Sequence, residues 1–176
     1  MIIYFLRHAS AGEPLSNPKK DEKRALDETG VEQCGYVGRA LSALDVQVEV
    51  ILSSPLKRAA QTASLVGNVM GHEGKLQLED GLRPTASFAD FRKMLDKYAR
   101  HESIMVVGHN PALSEFLGRS ISETGCEAAI DLKKGAVARA EMSRNAVSLT
   151  WCLTPKILRT LYAAAAESSR PKTSRK

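Results

Sequence analysis

The chain has 176 residues, enough for one domain with its own core, and its 43% apolar and 26% charged residues are the balance of a folded globular protein. No apolar run approaches the roughly 20 residues a bilayer span needs, so no membrane protein is expected. The formal charge of +5 does not point to nucleic acid, because Arg170, Lys172, Arg175 and Lys176 against Glu167 place +3 of it in residues 167–176.

The chain opens on Met1-Ile2-Ile3-Tyr4-Phe5-Leu6, stopped by Arg7 and His8. Without a basic leader, and too short for a signal peptide, this run predicts a buried strand over 2–6. Val31, Cys34, Val37, Ala40 and Leu41 recur at helical spacing and predict a helix over 30–44, with Asp27 as its cap. Residues 48–52 predict a second strand. Pro55 suits the first turn of a helix running to about Met70. Residues 76–86 carry the turn signals Asp80-Gly81 and Pro84 and read as irregular.

Phe88, Phe91, Met94, Leu95 and Tyr98 predict a helix over 87–100. Ile104–Val107 is wholly apolar, as a strand covered on both faces would be. Pro111 opens a further helix through Leu113, Phe116 and Leu117. Residues 136–142 and 147–153 alternate about Ser143-Arg144-Asn145 as a hairpin, and a last helix is predicted from Pro155 to about Ala166, favoured by Ala163–Ala166. Alternating strands and helices imply an α/β fold: three layers, α/β/α, with a mostly parallel central sheet and helices on both faces. Residues 1–166 form the expected single domain. Residues 167–176 read as a basic, disordered tail.

Cys34, Cys126 and Cys152 are odd in number, far apart and outside any zinc spacing. They predict reduced thiols in a cytoplasmic protein, with Cys34 and Cys152 as small buried apolar residues. No carboxylate cluster or histidine pair has metal-ligand spacing, so no metal and no cofactor is expected.

Three polar motifs stand at three strand ends, where open α/β sheets bind their ligands. They are Arg7-His8-Ala9-Ser10, Ser53-Ser54-Pro55-Leu56-Lys57-Arg58 with Thr62 beyond, and Gly108-His109-Asn110-Pro111. The layered fold can bring Arg7, Arg58, His8 and His109 to one pocket, with no carboxylate inside the motifs to neutralise them. Such a pocket suits a phosphoryl group, whose oxygens match the forked donors of arginine.

Arg-His after the first strand, Ser-Pro-x-x-Arg-x-x-x-Thr after the second and Gly-His after the third resemble the histidine phosphatase (phosphoglycerate mutase-like) superfamily. The short chain, Arg24-x-Leu26-x-x-x-Gly30, and the segment Trp151-x-Leu153-x-Pro155-Lys156 are similar to its SixA-type phosphohistidine phosphatases. The resemblance implies a phosphoglycerate mutase-like fold and a metal-independent phosphatase. His8 would attack phosphorus, with Arg7, Arg58 and His109 binding the phosphoryl group and spreading its charge. His109 would do so as imidazolium. Arg24 would touch the phosphate or the substrate rim, or else form a surface ion pair. Asn110 is either a ligand or a helix cap. Thr62 is either part of the motif's function or a back-bonded helix threonine.

Two departures from the superfamily pattern matter. Ala9 stands where the superfamily more often has Gly, so the turn after His8 must use ordinary backbone angles. The general acid of larger members has no clear counterpart, and Glu79 and Asp80 are candidates by region only. A phosphohistidine substrate would tolerate that lack, because a protonated imidazole leaves far more readily than an alkoxide. The expected partner is therefore a phosphohistidine-bearing protein, and the chain is expected to act as a monomer without specific nucleic acid. Alternatives are a phosphomonoesterase for a small phosphoester and, of a different class, a non-catalytic phosphoprotein-binding module. The module has no need of His8.

Overall fold

In a computed structural model, which describes residues 1–122, 128–144 and 146–168, strands and helices alternate as the apolar patterning predicts. The strands are β1 (Ile2–Arg7), β2 (Val50–Ser53), β3 (Gln77–Leu78), β4 (Ser103–Gly108), β5 (Val137–Met142) and β6 (Val147–Leu153). The helices are α1 (Pro18–Glu22), α2 (Glu28–Ala43), α3 (Lys57–Met70), α4 (Phe88–Lys97), α5 (Ala112–Ser120) and α6 (Pro155–Ser168). The six strands form one sheet in the order β3-β2-β4-β1-β5-β6. The first four are parallel; β5 pairs antiparallel with β1, and β6 pairs antiparallel with β5.

Both faces of the sheet are covered. On one, Ile3, Phe5, Leu52, Ile104 and Val106 pack beneath Phe91 and Met94 of α4 and Phe116 and Leu117 of α5. On the other, Tyr4, Leu6, Ile51, Met105 and Val107 pack beneath Val37 and Leu41 of α2, Ala63 and Val66 of α3 and Leu158 of α6. The period-2 alternation along each strand sends successive side chains to opposite cores, which is why residues 2–6, 50–52 and 104–107 are wholly apolar.

Asp27 caps α2 as expected, its Oδ1 accepting from Gly30 N at 2.7 Å. Ser87 and Asp90 form a capping box at the start of α4. The helix behind Pro55 begins at Lys57, two residues later than the proline suggests, because Ser54-Pro55-Leu56 form the turn out of β2. The stretch read as irregular contains β3 and a single 3-10 turn, Asp80–Leu82. Helix α1 was not anticipated; Asn17 caps it and Pro18 occupies its first turn.

Cys34 is buried, but Cys152 is exposed, because β6 is the edge strand of the sheet. Cys126 and residues 169–176, most of the expected tail, lie outside the described residues. Among the described residues no helix is long and apolar enough to cross a membrane.

Candidate active site

Strand register sets the three motifs level. Arg7 of β1 pairs with Gly108 of β4, and Ser53 of β2 pairs with Val107 of β4. The next residues out, His8, Ser54 and His109, therefore share one rim of the sheet. Two bonds continue the ladder there: His8 N to Gly108 O at 3.0 Å and Ser54 N to Val107 O at 2.9 Å. The rings of His8 and His109 lie 5.0 Å apart.

His8 is 8% exposed. Its Nδ1 lies 2.8 Å from Ala9 O, a backbone acceptor, so Nδ1 carries the proton and donates it there. Nε2 is left with its lone pair. Burial, with Arg58, Arg7 and Arg24 adding to it, lowers the His8 pKa to about 4 against the opposing bond to Ala9. The imidazole is thus neutral over the whole neutral range and can act as a nucleophile.

The turn after His8 is held from three sides. Ala9 N donates to Thr62 Oγ1 at 3.1 Å, and that hydroxyl in turn donates to Arg58 O at 2.8 Å. Asp27 Oδ2 accepts from Ser10 Oγ at 2.7 Å and from Gly12 N at 2.8 Å. A Cβ on Gly30 would stand 2.0 Å from Ser10 O, so only glycine lets α2 approach this turn. Ala9 itself has no positive φ; Gly12, at +66°, supplies the left-handed residue three positions later.

Arg58 lies in the first turn of α3 and is 6% exposed. Arg7 sends Nη1 to Leu132 O at 2.7 Å. Arg7 Nε, Arg58 Nε and His109 Nδ1 are buried and have no hydrogen-bond partner among the described residues. Buried polar nitrogens of this kind are costly, and these three, from three separate motifs, could each donate to an external acceptor. His109 Nε2 shares a 2.9 Å hydrogen bond with Ser54 Oγ. Burial, followed by His8, Arg58 and Arg7, pushes the His109 pKa down to about 2. The expected imidazolium does not fit this free site, where desolvation and positive neighbours exclude the extra proton. A bound anion would reverse the sign of that effect.

The remaining candidates separate. Arg24 forms the ion pair that was its alternative: its Nε reaches Asp21 Oδ1 at 2.7 Å and its Nη1 reaches Ala11 O at 2.6 Å. Asn110 acts as a strut. Its Nδ2 donates to Leu132 O at 2.9 Å, the carbonyl that also holds Arg7, and its Oδ1 accepts from Ser114 Oγ at 2.8 Å. Thr62 combines the back-bond with the hold on Ala9. Glu79 faces α4, accepting from Tyr98 OH at 2.8 Å and Lys97 Nζ at 2.9 Å. Asp80 is 83% exposed in its side chain and pairs with Arg83.

The residue that sequence reasoning missed is Asp21. It supplies the carboxylate absent from the three motifs, meeting Arg58 Nη1 at 3.2 Å and Arg24 Nε at 2.7 Å. The bond to Arg24 comes first among the influences that lower the Asp21 pKa to about 2, followed by the bond from Leu15 N, with the charge of Arg58 adding to them. The signal available was Asp21-x-x-Arg24 after Asn17-Pro18, a capped helix start with an i,i+3 pair. Among the described residues no group of His, Cys, Asp and Glu side chains is arranged to hold a metal ion.

A model of the histidine phosphatase superfamily (branch 1) matches residues 3–102. An uncharacterised protein of Picosynechococcus sp. is 31% identical over 141 residues, which cover 78% of this chain and 82% of that protein. The solved structure of the protein histidine phosphatase SixA complexed with tungstate superposes with a TM-score of 0.80 at 20% identity, over 90% of this chain and 99% of that chain. The putative phosphohistidine phosphatase SixA from Agrobacterium tumefaciens gives 0.75 at 23% identity, over 88% and 97%. At these identities the structural likeness is one of fold.

Proposed function

Because the chain belongs to the histidine phosphatase superfamily, we propose that it is a phosphatase working through a covalent phosphohistidine on His8. We further propose that its substrate is a phosphohistidine carried by another protein. His8 Nε2 is the nucleophile. Arg7, Arg58 and His109, each with a buried nitrogen lacking a partner, hold the phosphoryl oxygens.

The single observation that favours phosphohistidine is the state of Asp21. It is the carboxylate bonded to the site's arginines, and it is held ionised, with a pKa of about 2. It cannot protonate a leaving group at neutral pH. Hydrolysis of an alkyl ester would need such a proton. A phosphohistidine protonated on its second ring nitrogen would not: its N–P bond breaks and neutral imidazole departs. The product on His8 keeps its own proton on Nδ1, against Ala9 O, and is chemically the same species as the substrate. Water then attacks phosphorus, the bond to Nε2 breaks, phosphate leaves, and His8 returns to its neutral form. Positioning and charge stabilisation suffice for a transfer so nearly balanced.

The deciding experiment measures phosphate release from a phosphohistidine protein and from a generic aryl phosphate, with wild type and His8→Ala. Preference for the protein substrate, lost in the variant, is the expected result. Activity confined to esters would move the enzyme to small phosphoesters with the same nucleophile. Activity surviving His8→Ala would overturn the mechanism.

A further inference from the structure

Asp21 has no place in the reaction as written, yet it makes more contacts in the site than any residue sequence reasoning chose. Its carboxylate is fully engaged. Oδ1 accepts from Arg24 Nε at 2.7 Å and from Leu15 N at 2.9 Å, while Oδ2 meets Arg58 Nη1 at 3.2 Å. Its backbone carbonyl accepts from the same Arg58 Nη1 at 3.0 Å. Two acceptors from one residue thus meet one guanidinium nitrogen.

A guanidinium is planar and offers five N–H donors in a fixed fork. With Nη1 held by Asp21, the orientation of the whole guanidinium plane is fixed, and Arg58 Nε remains without a partner among the described residues. The carboxylate also separates two like charges, since Arg24 and Arg58 both meet it and act on each other unfavourably. Asp21 itself sits on α1, outside the three motifs and on none of the three strand ends.

We propose that Asp21 is a positioning residue: it aims the free edge of Arg58 at the phosphoryl group and acts on the reaction through Arg58 alone. This rests on the reading of Arg58 as a phosphoryl ligand. The consequence is a split between ground and transition states. Phosphoryl transfer spreads charge over equatorial oxygens, and a fixed fork serves that geometry best. Losing the aim therefore lowers turnover. Losing the negative charge of Asp21 leaves the site more positive, so a simple anion binds no more weakly than before.

The test uses Asp21→Asn on the full chain, with an aryl phosphate as substrate and with orthovanadate and inorganic phosphate as ligands. Expected are a fall in kcat of about tenfold or more, the usual scale for a hydrogen bond to a charged group, and an equal weakening of vanadate. Phosphate binding stays the same or tightens. Asp21→Glu, which keeps the charge, recovers part of kcat. In an Arg58→Ala background the effect of Asp21→Asn on kcat disappears, because the partner it acts through is gone. Unchanged kcat, a parallel weakening of vanadate and phosphate, or a full effect in the Arg58→Ala background would each overturn the proposal. These readouts need no phosphohistidine, so their failure is distinct from failure of the substrate assignment.

Discussion

Thr62 Oγ1 accepts the backbone N–H of Ala9 at 3.1 Å, so a side chain of α3 fixes the turn that follows His8. The same hydroxyl donates to Arg58 O, one turn back in its helix, and thereby ties the turn after His8 to the helix that carries Arg58. Thr62→Val keeps the shape and removes both bonds. Ala9 N is buried and would be left unpaired, at a cost of about 1–3 kcal/mol. Thermal unfolding of Thr62→Val should show that loss, together with a fall in kcat. Thr62→Ser, which keeps the hydroxyl, should restore most of both.

The buried histidines make stability depend on acid. The His8 pKa falls from 6.5 to about 4 on folding, and the His109 pKa falls further. Below pH 6.5 the unfolded chain therefore binds protons that the folded chain refuses. Stability is full above that value and declines as pH drops towards 4. For His8 alone the loss amounts to about 2 kcal/mol by pH 4.5. Urea denaturation of wild type and His8→Asn at pH 7 and pH 4.5 measures it. The variant should lose less stability over that interval, and equal losses would show that His8 is not buried neutral.

The imidazole tautomer can be read directly. Nitrogen-15 spectra of His8 should show a protonated Nδ1 and a bare Nε2 at neutral pH, because the Ala9 carbonyl claims the first proton. A protonated Nε2 would leave no lone pair for attack and would remove His8 as nucleophile.

Arg7, His8, Arg58 and His109 could be singled out in the sequence because each lies at or just beyond the end of an apolar strand, and register levels those ends. The two cores were legible for the same reason. What stayed hidden depends on short or backbone-borne features. Helix α1 has five residues and no buried one, so Asn17-Pro18-Lys19-Lys20-Asp21 looks like a solvated charge run until its fold turns Asp21 inward. Strand β3 has two residues, too few to show a period. The support of Arg7 is the carbonyl of Leu132, which no side-chain pattern reveals, and the role of Asn110 followed only once that carbonyl was placed.

Gly30 tests the close approach of α2 to the turn after His8. A methyl group there meets Ser10 O at 2.0 Å, which is backbone and cannot rotate away. In an ordinary helix position Gly→Ala is favourable. Here Gly30→Ala should destabilise the fold by about 2 kcal/mol or more, and the displaced Ser10 should also disturb the bond between Ser10 Oγ and Asp27. Calorimetry gives the first effect and kcat the second. A variant as stable as wild type would mean that the turn can move without cost.

Asp21 is ionised, Glu79 is bound to Lys97 of α4 and to Tyr98 just beyond it, and Asp80 is exposed with Arg83. With Asp21 ionised and Glu79 and Asp80 bonded elsewhere, the departing group must carry its own charge. Across a series of aryl phosphates kcat/KM should therefore fall steeply as the leaving phenol becomes less acidic, by several-fold per pKa unit, and alkyl phosphates should be nearly inert. Glu79→Gln and Asp80→Asn should leave the slope and the aryl phosphatase rate within about twofold of wild type, since Glu79 is turned to Tyr98 and Lys97 and Asp80 to Arg83. A shallow slope in the wild type that steepens in either variant would identify that carboxyl as a general acid. It would also remove the argument that ties this site to phosphohistidine, because an enzyme with an acid has no need of so good a leaving group.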